Sequence, residues 1–143
     1  MRDRIIGLTI SMTITLLILI LSQMLPLEKY LSTYSFYLGY LERFSWYPFW
    51  RLAVFSFLYW LFSVLLFSAE DEKTFFPLIF SSILFTASHY LLLLNSGILW
   101  KATFYPFIFS YRNLLYLDWG QISLATLFAC IFLKIKKRLK IKE

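Results

Sequence analysis

Long apolar stretches alternate with short polar segments along the chain, and four of the stretches have the length of a membrane span. A membrane-spanning helix needs roughly 20 apolar residues, because each residue rises about 1.5 Å through a hydrocarbon layer about 30 Å thick. The predicted spans lie at 5–24, 52–69, 74–94 and 114–133. The last has a charge-free core over 119–133 and reaches spanning length only if its helix begins near Leu114. The pattern predicts an all-α fold with four transmembrane helices.

The two longer connections, 27–50 and 97–113, are apolar and aromatic rather than polar. In the stretch 30–50, ten of the 21 residues are aromatic, and small polar residues recur there at helical spacing. Such a segment is typical of a helix that lies in the membrane interface with its rings buried. The second connection resembles the first, although Pro106 breaks any long helix within it. We therefore expect one or two interfacial amphipathic helices on one face of a single membrane domain, 1–143.

Composition agrees with a membrane protein and argues against an ordinary soluble domain. Apolar residues make up 60% of the chain and charged residues 15%, and the mean hydropathy is +0.70. Soluble domains are nearer half apolar and a quarter charged. The expected surroundings of the chain are therefore a lipid bilayer.

The basic residues predict the orientation of the chain. Six of the 14 lie in the tail 134–143, and with both termini in the cytoplasm nine basic residues fall inside and five outside. This distribution follows the positive-inside rule and predicts a multi-pass protein of the cell (inner) membrane with both termini cytoplasmic. The basic tail beside an apolar span predicts contact with anionic lipids. No motif for nucleic acid accompanies the tail, so no nucleic-acid partner is expected.

A polar stripe runs along the third predicted span. Its residues repeat every seven positions, nearly two helical turns, and therefore share one side of a helix. The stripe consists of Ser81, Ser82, Ser88, His89 and Asn95. Small and hydroxylated residues allow membrane helices to approach closely and to hydrogen-bond to one another. The stripe predicts a seam between helices.

His89, the only histidine, has two interpretations at this stage. As a neutral packing residue it bonds a neighbouring helix; as a functional residue it carries protons or provides one axial ligand to a haem. One chain provides only one histidine for a haem and no cysteine or histidine set for zinc. We therefore expect no metal and no cofactor.

Arg112 and Asp118 flank the predicted entry to the fourth span. They are candidates for an ion pair with each other or for holding a lipid phosphate, because a guanidinium suits bidentate phosphate binding. Simple anchoring in the interface is the alternative. Neither arrangement includes a catalytic residue.

The segment YRNLLYLDWGQISLATLFACIFLKIKKR (111–138) resembles the VanZ-like family of small four-span membrane proteins. The resemblance rests on Arg112, on Asp118 six residues later, and on a last span with a basic end. It implies four spans, termini on the cytoplasmic side, and a loose link to the cell envelope and to glycopeptide resistance.

The residues together favour a non-enzymatic envelope subunit or assembly factor that binds other membrane proteins through its polar seams. The alternative is an oligomeric channel or small transporter, with a polar path along the third helix. The two differ in whether that stripe meets water.

Overall fold

The structure of the chain is a computed structural model that describes residues 2–25 and 44–140. The described part is mostly helical and contains four long helices: α1 (Arg2–Met24), α2 (Tyr47–Leu65), α3 (Glu72–Asn95) and α4 (Trp119–Lys140). All four are long and apolar enough to cross a membrane. The prediction of four such helices is confirmed, although α2 begins and ends earlier than the predicted 52–69.

Helix α3 is the central helix, and each of the other three packs against it. Helix α1 approaches α3 closely at Gly7, where an added Cβ atom would lie 3.1 Å from the Glu72 carbonyl oxygen in the first turn of α3. Helices α1 and α2 also contact each other, around a core of Ile18, Leu52 and Tyr59. Helix α4 packs mainly on α3, through Leu78, Leu127 and Cys130. The bundle is therefore open along one flank of α3, between α1 and α4.

The connection before α4 is a three-stranded antiparallel sheet, not an interfacial helix. Its strands are β1 (Thr103–Tyr105), β2 (Ile108–Tyr111) and β3 (Leu114–Leu117), in that order. The expectation of an all-α chain is wrong here, and the fourth helix begins at Trp119 rather than near Leu114. Of the first connection, predicted at 27–50, the part 27–43 lies outside the described residues.

Two turns explain why this segment forms strands. Pro106 and Phe107 form a two-residue turn between β1 and β2, and Phe107 has a positive φ of 64°. Arg112 and Asn113 form the next turn, with φ of 51° and 64°. Positive φ at both central residues matches the twist of the flanking strands. Between the turns, the rings of Phe104, Phe109 and Tyr116 stack across the sheet at centroid distances of 5.6 and 5.3 Å.

The bundle has two distinct ends. The sheet end holds the three strands, the last residues of α3 and the first residues of α4. The other, here called the termini end, holds the start of α1, the α2–α3 turn and the last turns of α4. Ion pairs join these elements: Arg4 and Lys134 lie 3.7 and 3.5 Å from Glu72, and Lys73 lies 3.2 Å from Asp3. Lys137 pairs with Glu70.

Candidate functional site

The candidate site is a buried polar cluster at the sheet end, where α3 meets the first turn of α4. Asp118 directly follows β3 and directly precedes α4, and its side chain is completely buried. His89 and Tyr90 face it from the last turns of α3, and Gln121 from the first turn of α4. The cluster therefore joins the end of α3 to the junction of β3 and α4, 28 residues further along the chain.

Asp118 caps α4. Its Oδ1 atom accepts a hydrogen bond from the Gln121 backbone N–H at 3.1 Å, and its Oδ2 accepts one from Gln121 Nε2 at 2.9 Å. An acidic N-cap residue satisfies a helical N–H that otherwise lacks a partner and complements the positive end of the helix dipole. The same Gln121 side chain accepts from the Phe107 N–H at 3.0 Å and donates to the Tyr105 carbonyl at 3.2 Å. The cap thereby also fastens the β1–β2 turn to α4.

Tyr90 ties the cap to α3. Its hydroxyl lies 3.1 and 3.0 Å from the two carboxylate oxygens of Asp118 and donates to them. Hydrogen bonds to an ionised acceptor are stronger than neutral ones. A buried carboxylate is costly unless donors surround it, and Tyr90 and Gln121 provide those donors.

His89 completes the cluster at a longer distance. Its Nε2 atom lies 3.5 Å from Asp118 Oδ1, beyond the usual range of a hydrogen bond. The rings of Phe85 and Tyr90 pack beside the imidazole, at centroid distances of 6.1 and 5.4 Å. The Nε2 atom, which would bind a haem iron, faces the carboxylate.

Gly120 allows α4 to come this close to α3. A Cβ atom at this position would lie 2.8 Å from Tyr90 Cε2 and 3.0 Å from His89 Cδ2. The Thr86 hydroxyl also reaches the Gly120 carbonyl oxygen, at 3.4 Å. The side chains of the cluster therefore meet only because residue 120 has no side chain.

The predicted polar stripe is divided between two helix contacts. Ser88 lies 2.6 Å from Ser56 of α2, hydroxyl to hydroxyl, and Ser82 accepts a hydrogen bond at its carbonyl from Ser123 of α4, at 3.4 Å. Ser81 bonds the Leu78 carbonyl of its own helix at 3.1 Å. All three serines of the stripe are buried, whereas Asn95 is half-buried and bonds the Leu91 carbonyl of its own helix. Most of the stripe is thus a contact surface within the chain.

Arg112 and Asp118 do not meet. Arg112 occupies the β2–β3 turn, exposed, with its guanidinium carbon 5.3 Å from the centre of the Tyr111 ring. Among the described residues, the basic side chain that lies within 3.5 Å of the Asp118 carboxylate is His89. The two residues singled out for one role therefore lie in different surroundings.

The hydrogen bonds of the cluster fix the contact between α3 and α4. Among residues 2–25 and 44–140, no group of three or more His, Cys, Asp and Glu side chains is placed to hold a metal ion. Tyr90 and Gln121 donate to the carboxylate oxygens of Asp118, and His89 lies beside them at 3.5 Å.

The contacts of Tyr90 and Gln121 with Asp118 were not predicted from the sequence. Gln121 has a recognisable signal, since Asp118 and Gln121 have the spacing of an N-cap residue and its reciprocal partner. Tyr90 has none, because its role depends on where α4 begins.

Comparisons of the chain with family models, with curated proteins and with solved structures find no match. The resemblance to VanZ-like proteins therefore stays a prediction.

Proposed function

We propose that the chain is a non-enzymatic, multi-pass membrane subunit or assembly factor that binds another membrane protein. The four long apolar helices support a position in the membrane. With four spans, both termini lie on one side, and the basic residues favour the cytoplasm of a cell membrane. The basic tail contributes contact with anionic lipids on that side.

One observation carries the proposal: the bundle leaves an apolar groove of about 260 Å³ along the open flank of α3. The groove is lined by Thr15, Ile79, Phe80, Ile83, Leu84 and Ala87. Ile83 is 57% exposed there. Because most of the polar stripe of α3 contacts α2 and α4, the groove replaces the stripe as the proposed binding surface.

The lining suits a transmembrane helix of a partner. Helices in lipid associate through close van der Waals packing and occasional hydrogen bonds, and small residues allow close approach. Ala87 provides the small residue that allows close approach, and Ile83, Ile79 and Phe80 provide the apolar surface against which a helix can pack. A partner helix that fits the groove would replace lipid chains with packed side chains.

A matched pair of substitutions tests the proposal. Ala87→Phe fills the groove, whereas Ala129→Phe adds the same ring at an exposed position of α4. We expect native-membrane purification of the unchanged chain to yield another membrane protein in fixed ratio. In Ala87→Phe, overpacking of the groove by about 1–3 kcal/mol should reduce the yield of the co-purified protein about tenfold or more. Ala129→Phe does not alter the groove and should leave that yield unchanged. Purification of the unchanged chain alone, or equal yields from both variants, would contradict the proposal.

An oligomeric channel or small transporter is the second candidate, favoured by the buried pair His89 and Asp118. Ionisable side chains within a membrane are costly and commonly serve transport. A water-filled path along α3 would expose Ser88, which is buried against Ser56. Labelling of Ser88→Cys by a membrane-impermeant thiol reagent, with Cys130→Ser as background, would support transport. Protection of Ser88→Cys supports the subunit.

A further inference from the structure

The sheet end carries an unusual combination of exposed apolar side chains and cations. One face of the sheet, here called the leucine face, presents Tyr105, Leu115 and Leu117, which are 48%, 69% and 51% exposed. These residues share a face because side chains alternate along each strand and Tyr105, Ile108 and Leu117 lie in register. Apolar surface of this kind marks a contact with an apolar partner.

The two cations of the segment lie at the same end of the sheet. Thr103 at the start of β1 pairs with Ser110 near the end of β2, so the turn before β1, which holds Lys101, and the turn after β2, which holds Arg112, lie at the same end of the sheet. Both residues are exposed, and the segment 97–117 contains no acidic residue. Gln121 fastens the opposite end, at Phe107 and Tyr105, to α4. One end of the sheet is therefore fastened to the bundle, and the cations lie at the opposite end.

The strand edges determine how deep such a sheet can lie in a membrane. The outer edges of β1 and β3 have no neighbouring strand in the described chain. Unpaired backbone N–H and C=O groups cost several kcal/mol each in hydrocarbon. The edges therefore require the headgroup layer, where water reaches the backbone and where aromatic side chains accumulate in membrane proteins.

We propose that the sheet binds an anionic phospholipid: the leucine face contacts acyl chains, and Lys101 and Arg112 bind the headgroup phosphate. Charge complementarity supports this occupant, because two exposed cations in a segment without acidic residues suit a phosphodiester anion. Continuity supports it as well, since β3 runs directly into the membrane-spanning helix α4 through Asp118. The role is independent of the proposed partner groove, which lies on the flank of α3.

The first experiment measures the depth of the leucine face. A bimane fluorophore is attached at Leu115→Cys, with Cys130→Ser as background, and the full chain is placed in vesicles of phosphatidylcholine and phosphatidylglycerol. We expect lipids with a spin label at a shallow acyl position to quench the fluorophore, and aqueous iodide not to quench it. Quenching by iodide and not by the lipids would overturn the proposal, because the leucine face would then lie in water.

The second experiment tests the cations by native mass spectrometry of the full chain titrated with phosphatidylglycerol. Each cation near an anionic lipid is worth about a fivefold change in affinity, so K101Q/R112Q should weaken binding about 25-fold. The charge-preserving control K101R/R112K should bind as the unchanged chain does. Equal affinity in K101Q/R112Q and the unchanged chain would overturn the assignment of the phosphate to these cations.

Discussion

Among single residues, the buried carboxylate of Asp118 has the largest structural role, because donors from two helices surround it. Asp118 accepts from Tyr90 and from both the backbone and the side chain of Gln121. These donors lie on both sides of the α3–α4 contact. The carboxylate is therefore a structural centre, with His89 beside it at 3.5 Å.

Removal of the Tyr90 hydroxyl tests this centre. Tyr90→Phe keeps the ring that packs against His89 but removes one donor from a buried carboxylate, which should cost about 1–3 kcal/mol of unfolding free energy. Thermal unfolding in detergent measures the loss, with the exposed Tyr116→Phe as control. A double-mutant cycle with Asp118→Asn should show coupling between the two positions; additive effects would show that the hydrogen bond contributes nothing.

The sequence predicts part of this cluster and not the rest. His89 and Asp118 stand out because ionisable groups are rare in apolar stretches. Their contact could not be foreseen, because it needs the exact start of α4, and the predicted start near Leu114 would have put Asp118 a full turn inside the helix. Arg112 attracted attention for its spacing to Asp118, but the β2–β3 turn carries it to the other end of the sheet.

At the element scale, helices were easier to predict than strands. A span is recognised by length and apolar composition alone. The strands of 103–117 are short, and their aromatic and leucine-rich sequence reads as a continuation of the apolar span. Pro106 indicates a break in the sequence. Asn113 is of a type that adopts positive φ readily, but the positive φ of Arg112 follows from no residue preference and is seen only in the folded hairpin.

Gly120 is the tightest contact between two elements of the site. Gly120→Ala should drive the rings of Tyr90 and His89 apart from α4 and lower the unfolding free energy by about 1–3 kcal/mol, because the added methyl group has no space. The control is Ala129→Val, which adds methyl groups at an exposed position of α4. Thermal unfolding of both variants checks this; equal stability would mean that α4 does not pack as described.

At the scale of the whole molecule, the two ends are held by different chemistry. The sheet end is held by hydrogen bonds around one carboxylate, and the termini end by ion pairs that join α1, α3 and α4. Lys134 is 5% exposed, lies 3.5 Å from Glu72, and has its ammonium 4.1 Å from the centre of the Phe75 ring. Part of the basic tail therefore serves the bundle itself.

The ion pair of Glu72 and Lys134 predicts that a single and a double variant differ in stability. Glu72→Gln should lower stability by about 2 kcal/mol or more, because it removes a carboxylate charge that lies 3.5 Å from the buried Lys134 ammonium. Adding Lys134→Met to that variant should restore most of the loss, since the apolar chain keeps the contact with Phe75. Chemical denaturation of the single and double variants measures both changes. A double variant less stable than Glu72→Gln alone would contradict the account.

The exposed pair of Glu70 and Lys137 predicts a pH dependence. The hydrogen bond and the charge of Lys137 hold the pKa of Glu70 below its ordinary value. A lowered carboxylate pKa contributes stability above the pKa of the unfolded chain and loses it as the pH falls through the folded value. The difference in melting temperature between the unchanged chain and Lys137→Gln should therefore be constant near neutral pH and vanish in acid. The exposed Lys136→Gln should show no such pH dependence, and a Lys137→Gln difference that grows in acid would have the wrong sign.

The most direct test of the proposed function is photocrosslinking from the groove in the native membrane. A photoreactive amino acid at Ile83 should form a covalent adduct with one other membrane protein, whereas the same group at the exposed Leu17 of α1 should react with lipid. Mass spectrometry of the adducts identifies both products. Adducts with lipid alone at both positions would contradict the claim that the open flank of α3 binds a partner helix.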